Sequence, residues 1–117
     1  MNIPRSDHTL MAQFDLHKNK GPLKGTIPYV VVVQSSLFDG YRRRVVVPLV
    51  KRSALPAGIA GTRLNPSFKV RGAVLVLHPL DMVSVSLDQL GECVGSIAEH
   101  GQEIADALDE LVTRSWH

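Results

Sequence analysis

The sequence predicts an α+β fold, an antiparallel sheet followed by one helix, on two observations. Dense β-branched runs, Val30–Val33 and Val45–Val47, flank a turn-forming stretch, and runs this short and branched favour strands over helices. After the strands, an apolar stripe at helical spacing begins near Ser96. Strands first and a helix last, with no internal repeats or low-complexity tracts, is an α+β order.

Taken in order, residues 1–10 are a polar leader without periodicity, expected to be a disordered extension ahead of a single domain spanning 11–117. Gln13-Phe14-Asp15-Leu16-His17 alternates apolar and polar residues, the signature of a half-exposed strand. Lys18–Gly25 reads as a lysine-rich loop punctuated by Gly21-Pro22 and Gly25. Ile27–Gln34 and Arg44–Leu49 then form a hairpin, with Asp39-Gly40 expected to supply φ > 0 where the chain reverses. The runs are continuous rather than alternating, which predicts that both faces of these strands are covered, as in a small closed barrel or a sheet pressed against a helix. Pro48 has no N–H, so the second strand is expected to end there or to meet an edge.

Pro56, Gly58 and Gly61 break the pattern before a second strand pair, Ser67–Val70 and Gly72–Leu77, turning at Arg71-Gly72. Met82–Leu87 is a further short strand. Ser96-Ile97-Ala98-Glu99 matches a capping box and predicts a helix start. Along that helix Ile104, Ala105, Leu108, Leu111 and Val112 form the apolar stripe, opposite Glu99, Glu103, Asp106, Asp109 and Glu110. Gly101 in its early turns costs roughly 1 kcal/mol against Ala.

Composition narrows the function classes. With 117 residues, 44% hydrophobic and 21% charged, the chain matches one ordinary globular domain. It has no apolar run of the length a bilayer span needs and no apolar core in its leader, so a cytoplasmic location is expected. The lone Cys93 agrees with a reducing compartment. Residues 1–52 carry nine Lys or Arg against three Asp or Glu, and residues 53–117 carry four against eight. That basic half falls short of a dedicated polycationic arm and has no accompanying series of aromatic residues, so an acidic partner peptide fits it as well as nucleic acid does.

No catalytic motif announces itself. His8, His17, His78, His100 and His117 are scattered, none pairs at i, i+4 with a third ligand, and Cys93 has no Cys or His neighbour in sequence, so no metal site is predicted. Nucleophile elbows, Walker loops and dinucleotide fingerprints are absent. His17, Thr26 and the arginines contain the ingredients of a phosphodiester-cleaving site, a general base and a cation, although solvated loop residues are the simpler reading. Arg42-Arg43-Arg44 beside the hairpin turn is either a solvated cluster guarding a strand edge or a fork for a carboxylate-rich segment. Trp116, the single tryptophan, lines up with positions 105, 108 and 112; it either folds onto the stripe or serves as an aromatic anchor for a partner's pocket.

Several short segments, in order across residues 11–117, resemble the CcdB family of toxins from toxin–antitoxin operons. They are Gln13-Phe14, Val33-Gln34-Ser35, Arg43-Arg44-Val45-Val46-Val47-Pro48-Leu49, Leu64-Asn65-Pro66, Asp81-Met82-Val83-Ser84-Val85 and Leu90-Gly91-Glu92-Cys93-Val94, followed by the terminal helix. The resemblance implies a small SH3-like antiparallel β-barrel of the CcdB/MazF type with a C-terminal helix near the two-fold axis of a homodimer. It implies a toxin that does not itself catalyse a reaction, needs no cofactor, binds the A subunit of DNA gyrase and traps its DNA-cleaved state. A CcdA-like antitoxin with a disordered acidic tail would neutralise it, and DNA would be met only indirectly, through that antitoxin. Carried onto this sequence, Ser115, Trp116 and His117 become the gyrase-binding terminus, where well-known members of the family end Trp-Gly-Ile. Charge complementarity makes Arg43 and Arg44 the expected antitoxin contacts. The alternatives are a MazF-like endoribonuclease toxin of the same fold, or an inactive homologue that keeps only antitoxin binding.

Overall fold

The valine runs become the centre of one antiparallel sheet in the computed structural model, which describes residues 12–113. The extension expected at residues 1–10, and Ser115, Trp116 and His117, lie outside the described residues. The strands are β1 (Asp15–Lys18), β2 (Tyr29–Val32), β3 (Arg43–Lys51), β4 (Ser67–Val70), β5 (Ala73–Leu77), β6 (Val83–Ser86) and β7 (Cys93–Ser96), and the helix is α1 (Gly101–Val112). They order as β4-β5-β3-β2-β1-β7, with β6 also paired to β3, giving a curled half-barrel that matches the predicted α+β class.

Successive side chains on a strand point to opposite faces, and here both faces are covered. Val31, Val33, Val47 and Leu49 meet Leu16, Phe68, Leu75, Leu77, Ile97, Ile104 and Ala107 in the main core under α1. Their neighbours Val32 and Val46 pack with Leu90 in a second cluster, flanked by Val30 and Val85. This two-sided burial is why the runs are unbroken rather than alternating, and each fully buried Val or Leu contributes about 1.5–3 kcal/mol. The Arg71-Gly72 turn also forms as expected: φ is 51° and 86° at its two residues, the left-handed pair that a two-residue hairpin uses to match strand twist.

Pro48 does not end its strand. β3 continues through it to Lys51, and Pro48 lies opposite Val30. The N–H of Val33 donates to the carbonyl of Val45, so by alternation the Val31–Val47 and Tyr29–Leu49 pairs are the hydrogen-bonded ones and Val30–Pro48 is not. On its other side β3 pairs with β6 through Val46 and with β5 from Leu49, so the proline sits at the handover between them. Its carbonyl still accepts from the N–H of His78.

The expected reversal at Asp39-Gly40 is replaced by a 3-10 turn over Ser36–Phe38, capped by the Ser35 hydroxyl, which accepts from the N–H of Leu37. Positive φ is not used at either residue. The helix likewise begins later than the capping-box pattern implies. Ser96 closes β7, and its hydroxyl accepts from Ala98 N–H at 3.1 Å to start a 3-10 turn, Ala98–His100, that leads into α1. The buried stripe of α1 is Ile104 and Ala107, with Leu108 and Leu111 half-buried beside them, while Ala105 and Val112 face outward. β7 itself has no clear strand pattern in the sequence, because Gly95 and exposed Cys93 and Ser96 interrupt it.

Gly101 is a packing requirement. A Cβ there would lie 2.7 Å from Cε2 of Phe14, a ring packed against the main core. Replacing a helical Gly by Ala ordinarily gains up to about 1 kcal/mol, whereas overpacking costs about 1–3 kcal/mol. Gly101→Ala is therefore expected to destabilise the fold by roughly 1–2 kcal/mol; a raised urea midpoint would contradict this account of the contact.

Candidate functional site

The loop between β2 and β3 is organised from within by Gln34 and Arg44. Gln34 Oε1 accepts from Val45 N–H at 3.1 Å, and its Nε2 donates to the carbonyls of Phe38 and Arg43 at 3.1 and 3.2 Å. Arg44 is buried: Nη1 donates to the carbonyls of Tyr41 and Arg43 at 2.7 and 2.9 Å, and Nη2 donates to that of Asp39 at 3.1 Å. Arg43 stays on the surface with Nε on Ser84 Oγ at 2.8 Å and Nη2 on the Ser84 carbonyl at 2.7 Å, linking the loop to β6. Of the two arginines assigned to a partner, the structure therefore puts one on the surface and turns the other into a clasp.

Around this clasp the loop presents apolar groups outward. Leu37 is 88% exposed and Tyr41 68%, with Phe38 edge-on to Tyr41 at 6.3 Å between ring centroids. Arg42 is exposed beside them. The neighbouring Asp88 carboxyl is held below its ordinary pKa, first by the Ser86 hydroxyl that donates to it at 2.6 Å, with Lys20 and Arg42 adding their charge. The sequence shows the arginine triplet but not this aromatic and aliphatic rim, because single exposed apolar residues carry no periodic signal.

At the other end of the fold, α1 lies against the Pro79–Asp81 turn. The Thr113 N–H closes the helix on the Asp109 carbonyl at 2.9 Å. Leu80, Val83 and Val112 are each at least half exposed. The acidic flank of α1 has its own counter-ion, Arg63, with Nε 3.0 Å from Glu110 and Nη2 3.9 Å from both Asp106 and Asp109. Asn65 anchors the same loop from inside, donating to the Leu77 carbonyl at 3.1 Å, which gives the Leu64-Asn65-Pro66 segment its structural role.

The third feature lies across β1 and β7. Asp15 pairs with Ser96 and Leu16 with Gly95, but a bulge shifts the register so that His17 faces Cys93. In regular pairing Val94 would oppose His17; the bulge instead sends Val94 to the main core and brings Cys93 onto the face shared by Asp15 and His17. Gly91 permits this closeness, since a Cβ there would fall 2.2 Å from the Lys18 carbonyl oxygen. Its own carbonyl takes the His17 Nδ1 contact at 2.9 Å. A carbonyl can only accept, so Nδ1 carries the proton and Nε2 is left as an acceptor, buried and without a hydrogen-bond partner among the described residues. An orphan of this kind costs about 1–3 kcal/mol. Donor atoms of Asp15, His17 and Cys93 all lie within 4.8 Å of one another, a grouping that could hold a metal and that spacing along the chain does not reveal. The phosphodiester-cleaving arrangement lacks an accessible general base: His17 is 1% exposed and Arg44 is engaged by the loop, so what solvent reaches is surface arginines such as Arg42 and Arg43 and the Thr26 hydroxyl, which is turned to the Leu23 carbonyl.

A family model described as CcdB protein matches residues 13–113. Among curated proteins none matches the chain. The matched stretch holds every strand and the helix, together with the Gln34 and Arg44 clasp and the Asn65 anchor.

The two arginines are expected to separate in stability measurements. Arg44→Ala takes the guanidinium donor from the Tyr41 and Asp39 carbonyls, the Arg43 carbonyl keeping Gln34, and should cost about 2–4 kcal/mol. Arg43→Ala, at an exposed site, should cost under about 1 kcal/mol. Equal losses in chemical denaturation would mean that Arg44 is not the clasp.

Proposed function

The chain belongs to the CcdB family of toxin–antitoxin toxins, and from that premise we propose that it acts by binding the A subunit of DNA gyrase and trapping the enzyme on cleaved DNA. The observation that carries this reading is the family match across the whole sheet and helix. Buried His17 and engaged Arg44 further favour a binding protein over an RNA-cleaving enzyme, since neither can reach a phosphodiester from solvent. The gyrase contact is assigned to Ser115, Trp116 and His117, just beyond α1, with the indole as the energetic anchor.

The working form in this reading is a cytoplasmic homodimer. Exposed Leu80 and Val112 supply apolar surface on α1 and on the turn packed against it, and a two-fold interface would cover it. Neutralisation falls to a CcdA-like antitoxin whose acidic tail lies along the Arg42–Arg43 surface, with Arg44 holding that loop in shape from inside. Leu37, Phe38 and Tyr41 add apolar contact to the same face.

Purified protein is expected to convert supercoiled DNA to the trapped, cleaved gyrase complex and to leave single-stranded RNA intact. Trp116→Ala should reduce trapping by 10-fold or more, on the order expected for loss of an aromatic anchor. Full trapping by that variant, or RNA cleavage by the parent, would overturn the proposal. Arg43→Ala should weaken antitoxin binding measured by calorimetry, and the effect should shrink as salt rises.

A further inference from the structure

We propose that Asp15, His17 and Cys93 form a binding site for a divalent zinc-type cation that ties β7 to β1. The inference is independent of the gyrase reading, because it rests on the β1–β7 register alone. Three conditions for such a site meet here. The donors converge, with one ligand atom from each residue lying within 4.8 Å of the others. Ligand bonds of about 2.0–2.3 Å in a tetrahedral zinc site require the donors to close to a little under 4 Å, and rotation of the exposed Cys93 side chain can bring its sulfur toward the other two.

The histidine is also prepared for a metal. Its Nδ1–H is committed to the Gly91 carbonyl at 2.9 Å, which fixes the tautomer and leaves Nε2 unprotonated and open to a cation. Ligand histidines are characteristically held this way, with the second ring nitrogen donating to a backbone carbonyl or a carboxylate. Nε2 is buried and accepts no hydrogen bond from any described residue, so a cation would satisfy an acceptor that they leave unmet. The Asp15 carboxylate is oriented in turn by Ala12 N–H, which donates to Oδ2 at 2.9 Å. Exposure of Cys93 gives the ion a path in from solvent.

The donor set selects the ion. One sulfur, one imidazole nitrogen and one carboxylate oxygen suit zinc and its first-row neighbours, whereas magnesium and calcium call for oxygen ligands throughout. A thiolate and a carboxylate balance the two positive charges. Binding releases the Cys93 thiol proton to solvent, and three protein ligands leave the fourth tetrahedral position to water. The bulge supplies the geometry: without it Cys93 would face away from His17.

Cobalt(II) titrated into the reduced, metal-stripped full chain tests the site. One equivalent should produce a thiolate-to-cobalt charge-transfer band with tetrahedral d–d bands, and zinc should displace it. Cys93→Ser, at an exposed position that leaves the core intact, should abolish the charge-transfer band, and zinc affinity should fall by 10-fold or more, on the order expected for loss of a ligand. His17→Gln should do the same to affinity. Zinc should raise the thermal midpoint of the parent but not of Cys93→Ser. A double His8→Ala and His117→Ala variant should bind as the parent does. No charge-transfer band in the parent, a band that survives Cys93→Ser, or binding lost with His8 and His117 would each overturn the proposal.

Discussion

Everything in this fold is arranged around β3. On one flank it carries β2; on the other it carries β6 and then β5, so one nine-residue strand holds three partners in place. The strand must be apolar toward both faces and must still admit a change of partner along its length. Valine at positions 45, 46 and 47 meets the first demand, since a β-branched residue fits a covered sheet on either side. Pro48 meets the second, because a residue without an N–H fits where the ladder passes from β6 to β5.

That arrangement explains which parts were legible in the sequence. The valine runs, the Arg71-Gly72 hairpin and the order of strands before a helix are local signals, and they reappear in the structure. What local pattern missed depended on distant partners. Pro48 looks like a strand end until both flanks of β3 are considered. Ser96 and Glu99 look like a capping box until Ser96 is claimed by its pairing with Asp15. The helix start then moves to Gly101, and Ala107 replaces Ala105 in the core. Arg44 reads as surface charge until the ten-residue loop folds its carbonyls around the guanidinium.

The candidate sites follow the same division. Family segments such as Val33-Gln34-Ser35 and Leu64-Asn65-Pro66 could be recognised in the chain, and the structure gives them work as loop clasps rather than as contact residues. The Asp15, His17 and Cys93 cluster had no signature at all, since its members are brought together by one pairing and by the extra residue in it. A metal motif read from spacing needs its ligands on one helix or one tight loop. Here the ligand candidates sit on the first strand of the sheet and the last.

That pairing of first strand with last also shapes how the molecule comes into being. Until Cys93–Ser96 emerges from the ribosome, Asp15–Lys18 has an open flank, and the helix that roofs the core has not yet been made. Contacts so far apart in sequence slow folding, and a bare strand edge invites pairing with other chains in the meantime. Co-translational assembly of this sheet therefore waits for Cys93–Ser96, and a product truncated before that strand would emerge as an unsealed sheet rather than as a smaller version of the same fold.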